Sequence, residues 1–406
     1  MPDKTHFHAS DLRGFGRLTI DAVTGLTDLV EAMHRNIAGK PAILGKAPAG
    51  RTRGITGFVY RSIRGVTRLA GGGLDAVLGR LVPLFGEKAS SPEREAVLAV
   101  LNGVLGDYLE ASGNPLAIRM RLRRDGRPLQ PDRAALAAAL PKAGGKLLVL
   151  AHGLCMNDLQ WKRQGHDHGA ALAHDLGYTP VYLQYNSGRH ISTNGREFAG
   201  LLESLLHNWP VPVAELAILG HSMGGLLARS AWHYGTAAGH AWPRRLRKLV
   251  FLGTPHHGAP MERGGNWIDT LLGISPYTAP LSRLGKIRSA GITDLRHTFL
   301  LDEDWHGRDR FARSPGHRHA AVPLPEGVRC YAIAATTGRQ IGDLKDRLIG
   351  DGLVPLASAL GCHAESDRSL MFPQERQWIA LETGHLDLLC RAQAYERIKG
   401  WLGERP

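Results

Sequence analysis

Ser222 stands in Gly220-His221-Ser222-Met223-Gly224, entered by the apolar run Leu216-Ala217-Ile218-Leu219 and left by Gly225-Leu226-Leu227-Ala228-Arg229-Ser230-Ala231. A strand, a sharp turn and a helix in that succession present one serine hydroxyl as a nucleophile, and the flanking glycines clear space that a neighbouring Cβ would fill. In a chain with 50 glycines among 406 residues the pentapeptide alone is weak, and a Gly-rich loop between strand and helix is the bland alternative. The surroundings must therefore carry the reading.

A serine nucleophile needs an imidazole base, and the imidazole needs a carboxylate to hold its tautomer. On a strand-turn-helix scaffold the acid and then the histidine follow the serine along the chain. Asp351, in Gly350-Asp351-Gly352-Leu353-Val354-Pro355, is the preferred acid, with Asp343 and Asp346 as alternatives and an ordinary loop carboxylate as the bland one. Of the 20 histidines, only His363 and His385 lie beyond Asp351, which narrows the base to two. His385 follows the apolar Trp378-Ile379-Ala380-Leu381 and precedes a terminal helical stretch, as a strand-end base would; His363 follows no strand-like run. The oxyanion of acyl transfer needs backbone donors. The amide of Met223, next to the nucleophile, supplies one, and the amide of Leu154, after Leu147 to Ala151 and His152-Gly153, supplies the other.

These residues require a rigid frame. Leu147 to Ala151, Pro180 to Gln184, Glu215 to Leu219, Lys248 to Leu252 and Val328 to Ala335 are apolar on consecutive positions, so they read as strands buried on both faces. Helical stretches at 169–176, 194–208 (with Asn194 as cap), 223–234 and 386–402 alternate with them, which predicts an α/β fold with a mostly parallel central sheet flanked by helices. Residues 1–140 read as a helical N-terminal region, with amphipathic helices at 21–33 and 92–109. Within the remaining domain, 141–406, residues 256–327 show no comparable strand and are read as a lid over the site.

Residues 146–402 resemble an α/β-hydrolase of the lipase and esterase kind. The resemblance is carried by His152-Gly153, Gly-His-Ser-Met-Gly-Gly at 220–225, Gly253-Thr254-Pro255-His256-His257-Gly258, Asp351 in its Gly-Asp-Gly-x-Val-Pro loop, and His385. It implies ester hydrolysis through an acyl-enzyme, without a cofactor, on a lipid or other acyl ester. An acyltransferase using the same triad and a membrane-surface protein on a hydrolase scaffold are the alternatives. In this resemblance the 253–258 element shapes the floor of the site, and neither His256 nor His257 is catalytic.

Composition bounds the rest. Hydrophobic residues at 43% with charged residues at 21% suit a globular chain with a large core. The net charge of +13 comes with no nucleic-acid motif, so no nucleic-acid partner is expected. The run from Lys40 to Arg68 carries seven basic residues and no acidic one, a pattern that would meet an anionic membrane surface. Arg61, Arg64 and Arg68 form its stripe, whose ordinary alternative is a cap helix with its arginines in water. No apolar run is long enough to span a bilayer, and the first thirty residues do not read as a signal peptide, so a cytoplasmic protein with peripheral membrane contact is expected. Cys155, Cys330, Cys362 and Cys390 are widely spaced and read as free thiols, with Cys330 and Cys362 the pair best placed for a disulfide. His166-Asp167-His168 and His317-Arg318-His319 are compact but lack a metal signature, and read as solvent-exposed.

Overall fold

Leu147 to Ala151 shows how the centre is built: alternate side chains leave opposite faces of a strand. Leu147, Val149 and Ala151 enter one apolar cluster and Leu148 and Leu150 the other, all fully buried. The computed structural model describes residues 9–38, 61–62, 64–67, 75, 90–258, 289–307, 322–340 and 350–404.

The chain divides into two compact units, residues 1–94 with 109–117 and residues 95–108 with 118–406. In the first unit, helix α1 (Ala9–Ala38) contains the expected 21–33 stretch. Its Asp11 accepts from Arg94 at 2.6 and 2.5 Å, and its Asp28 accepts from Arg64 at 2.8 Å. The Arg64 side chain is only 4% exposed, so it is not one of a row of solvated arginines. Most of the basic run, at 40–60, 63 and 68, lies outside the described residues. Helix α2 (Pro92–Ala111) starts on a proline, whose missing N–H costs nothing in the first turn.

In the second unit the described residues form a sheet of order β2-β1-β4-β3-β5-β6-β7-β8. Its strands are β1 (Arg121–Arg124), β2 (Arg127–Pro128), β3 (Lys146–Ala151), β4 (Thr179–Gln184), β5 (Glu215–His221), β6 (Leu246–Leu252), β7 (Arg329–Ala335) and β8 (Gln377–Ala380). From β4 to β8 every neighbouring pair is parallel, whereas β1 pairs antiparallel with both β2 and β4. A mostly parallel eight-stranded sheet flanked by helices is that of an α/β-hydrolase fold.

Arg121-Leu122-Arg123-Arg124 was not legible as a strand, because it has no apolar run. It lies one strand in from the edge, between β2 and β4, and its Arg123 is buried between Glu95 (3.1 Å) and Asp158 (2.7 Å). The sheet therefore starts ahead of the boundary expected at residue 140.

Helix α3 (Arg133–Ala139) follows the hairpin. Helices α4 (His168–Leu176), α5 (Ile191–Asn208) and α6 (Met223–Ala237) alternate with the central strands. Phe198, Leu202 and Leu205 of α5 and Leu226 and Leu227 of α6 join the cluster on one face, and Leu172 of α4 joins the other. Asn194 does not cap α5, which begins three residues earlier. Asn194 is buried inside the helix, donating to the Asn186 carbonyl at 2.8 Å, and the Ile191 N–H is met instead by Asp294 at 2.7 Å.

That aspartate belongs to the stretch read as a lid. Residues 259–288 and 308–321 lie outside the described residues. Between them, helix α7 (Ala290–His297) is capped by Ser289, and its Ile292 and Leu295 sit in the main core. Burying two such side chains is worth roughly 2 kcal/mol each, so 289–307 is part of the folded body rather than a stretch poor in regular structure.

At the other end, 386–402 is not one helix. Asp387–Leu389 is a 3-10 turn, and helix α8 (Ala392–Gly403) starts after it, with Ala394, Ile398, Trp401 and Leu402 packed on the α4 face. All four cysteines are free, so Cys330 and Cys362 are not paired. No helix among the described residues is long and apolar enough to cross a membrane.

Candidate active site

The chain leaves β5, turns at Ser222 and enters α6 at Met223. Ser222 has φ 54° and ψ −123°, a conformation that costs a non-glycine residue about 1–3 kcal/mol and persists only where its surroundings enforce it. Two hydrogen bonds do so: Ser222 N–H to the Leu252 carbonyl at 2.8 Å, and Gly225 N–H to the Ser222 carbonyl at 3.1 Å. The glycines are needed for space. A Cβ on Gly220 would stand 2.6 Å from the Gly225 nitrogen, and one on Gly224 2.7 Å from the His152 carbonyl oxygen.

Asp351 and His385 meet beside this turn. Residues 341–349, and with them Asp343 and Asp346, lie outside the described residues, but Thr337 N–H donates to the Gly350 carbonyl at 3.0 Å. Asp351 is thereby returned to the carboxyl end of β7. Its Oδ1 accepts from the N–H groups of Leu353 (3.0 Å) and Val354 (2.8 Å), which leaves Oδ2 to accept from His385 Nδ1 at 2.6 Å. His385 N–H also donates to the Asp351 carbonyl at 3.0 Å, so the two loops are fastened by backbone as well as side chain. With its proton fixed on Nδ1, His385 has Nε2 free to act as a base. His363 lies elsewhere, its ring 4.9 Å from that of His257.

Ser222, His385, Gly153 and Leu154 line one cleft, whose apolar wall comes from Met156, Pro255, Leu295, Leu353 and Val354. Gly153 allows the approach: a Cβ there would stand 3.1 Å from the Ser222 Cβ. Met223 is the first residue of α6, so its N–H has no acceptor within the helix, and the positive end of the helix dipole lies there. Leu295 comes from the stretch read as a lid over the site, although nothing in the sequence singles out that residue.

Of the surrounding histidines, His152, His168, His221 and His256 are buried, and burial favours their neutral form. Burial pushes His152 down to about 4 and lowers His221 well below its ordinary value, with His385 nearby adding to the second shift. His221 Nε2 donates to the His385 carbonyl at 3.1 Å and so ties the nucleophile turn to the histidine loop. His168 is not solvent-exposed as expected. It is fully buried, is pushed down to about 4 by burial, and is bonded to His166 Nε2 and to the Leu388 carbonyl, both at 2.8 Å. Asp167 caps α4 and accepts from the Tyr182 hydroxyl. No group of side chains suited to a metal occurs among the described residues, and His317 to His319 lie outside them. His256 packs on Phe251 and Phe372, and His257 reaches the Gly361 carbonyl at 2.9 Å.

A family comparison agrees with the fold. The family described as PGAP1-like alpha/beta domain matches residues 198–323. No curated protein matches the chain. Among solved structures, the chain is similar to the mature lipase BlEst2 of Bacillus licheniformis at 15% identity, over 64% of this chain and 92% of that one, with a TM-score of 0.42. It is similar to EstA of Clostridium botulinum at 12% identity, over 64% and 88%, with a TM-score of 0.39. For lipase B of Aspergillus fumigatus the values are 11% identity, 62% and 52%, and 0.38.

Proposed function

We propose that this chain is a serine carboxylic-ester hydrolase acting through an acyl-enzyme. The observation that carries the reading is the 2.6 Å bond from His385 to Asp351 beside a strained serine on the same cleft. Ser222 Oγ attacks the acyl carbonyl carbon while His385 Nε2 takes its proton. The carbonyl oxygen becomes an oxyanion held by the amides of Met223 and Leu154. On its collapse the C–O bond to the alcohol breaks and His385 gives the proton to the departing oxygen. Water then enters, loses a proton to His385 and releases the acid from Ser222. Asp351 keeps its charge throughout and stabilises the imidazolium in each half-reaction.

The apolar side chains of Leu295, Leu353, Val354 and Met156 on the wall support an apolar acyl group. An acyltransferase would use the same first half-reaction with another alcohol in place of water. Turnover of p-nitrophenyl esters of graded chain length tests the proposal: a burst of p-nitrophenol equal to the enzyme concentration is expected, and Ser222→Ala should be silent. Undiminished turnover in that variant would overturn it. Added acceptor alcohol should leave the free acid as the main product, whereas predominant transfer would favour the acyltransferase.

A further inference from the structure

The peptide unit joining Gly153 to Leu154 carries two groups that face opposite ways. No cis peptide occurs among the described residues, so the Gly153 carbonyl and the Leu154 N–H lie on opposite sides of a trans plane. The carbonyl oxygen is 2.8 Å from Nδ1 of the preceding His152. A carbonyl can only accept, so Nδ1 carries the proton and donates it. With the oxygen turned onto His152, the Leu154 N–H is turned the other way, and Gly153 and Leu154 both line the cleft with Ser222.

The anchor is itself fixed. His152 is fully buried, its ring is stacked on Tyr185 with centroids 4.4 Å apart, and the Tyr185 hydroxyl donates to its carbonyl at 2.9 Å. On the far side of the peptide, Cys155 N–H donates to Ser187 Oγ at 3.1 Å, with Cys155 held at φ 59°. The loop is therefore clamped one residue before and one residue after the peptide that matters.

We propose that His152 is a positioning residue for the oxyanion site, its Nδ1–H holding the Gly153 carbonyl so that the Leu154 amide faces the tetrahedral oxyanion formed on Ser222. The inference rests on the ester-hydrolase reading above. Because the developing oxyanion needs the donor more than the ground-state carbonyl does, the effect should fall on kcat rather than KM.

The test compares His152→Leu, which fills similar volume without a donor, with His152→Asn, whose amide N–H can stand where Nδ1–H stands. Each is assayed in the full chain on p-nitrophenyl butyrate, with a melting temperature and the affinity for an alkyl boronic acid that forms a tetrahedral adduct. His152→Leu should lower kcat about 100-fold, the lower range for losing one oxyanion donor, with KM within about twofold. Boronate affinity should fall by a matching factor, and His152→Asn should recover most of both.

Wild-type kcat and boronate affinity in His152→Leu would overturn the inference, as would a His152→Asn variant as impaired as the leucine one. If His152→Leu does not fold, His152→Asn decides: near-native kcat and boronate affinity support the role, and their loss overturns it. Ser222→Ala separates the two levels. Turnover surviving in that variant removes the hydrolase reading itself, whereas a silent Ser222→Ala beside an unimpaired His152→Leu removes only the role of His152.

Discussion

The two ends of the central strands treat polar groups in opposite ways. At the amino ends of β5 and β6 the buried charges satisfy one another. Lys248 Nζ lies 3.1 Å from Glu215 and donates to the carbonyls of Leu402 and Glu404, both at 2.8 Å, while the Tyr178 hydroxyl also donates to Glu215. That cluster terminates α8 and locks it onto the sheet, since an ammonium at a helix C-terminus meets both the open carbonyls and the negative end of the dipole. At the carboxyl ends, Ser222 is held at φ 54°, and His152 Nε2 and His221 Nδ1 have no hydrogen-bond partner among the described residues. Strain and open valences cost stability where they stand. On the proposed reading, one edge is arranged for stability and the other for chemistry.

Substitutions that separate rate from stability sharpen this contrast. The largest effect is expected from Asp351→Asn. It leaves the Leu353 and Val354 contacts possible but presents the wrong partner to His385, so kcat should fall about 10⁴-fold, or about 5.5 kcal/mol of barrier, with little change in melting temperature. A variant that melts early yet keeps its rate would place Asp351 with the structural edge instead.

Lys248→Met is the mirror image. Leaving Glu215 buried without its partner should cost about 3–5 kcal/mol of unfolding free energy, while kcat per folded molecule stays unchanged. A denaturant titration run beside an active-site titration measures both, and a rate loss in the folded fraction would show that the two edges are coupled.

The smallest effect is expected from pH. Burial holds His152, His168 and His257 at about 4 and lowers His221 and His256 well below the ordinary imidazole value. Unfolded, each takes up a proton near 6.5, so the stability these histidines permit is complete above about 6.5 and is lost as pH falls toward 4. Asp158 and Asp294, pushed up to about 6 by burial, act in the opposite direction, their contribution being lost as pH rises through 6. Five groups against two make acid destabilising. Melting temperatures between pH 7 and 4.5 should decline, and His168→Phe, which removes one of the five, should decline less.

The edge that carries the proposed site was the more legible one in the sequence. A strand buried on both faces must be apolar at every position, so β3, β4, β5, β6 and β7 announce themselves, and short-range glycine spacing marks the turn at Ser222. The loop that sets Asp351 beside His385 was readable despite the long excursion before it, because its flanking glycines are a local feature. What depended on distant partners was hidden. Arg121 to Arg124 looks like a solvated run until Glu95 and Asp158 come to Arg123. His166 and His168 look exposed until the Leu388 carbonyl arrives, and nothing near Asp294 in sequence indicates that it caps α5 a hundred residues away. Local patterns encode periodicity and turn geometry, whereas the partner of a buried polar group is set by topology.

The central claim is that Ser222 is an activated nucleophile and not merely a strained turn residue. Treatment with a fluorophosphonate followed by peptide mass spectrometry tests it directly. The account predicts a single stoichiometric adduct on Ser222, fast in the native chain and slowed by orders of magnitude in His385→Ala. An unmodified Ser222, or an adduct that forms at the same rate without His385, would contradict it.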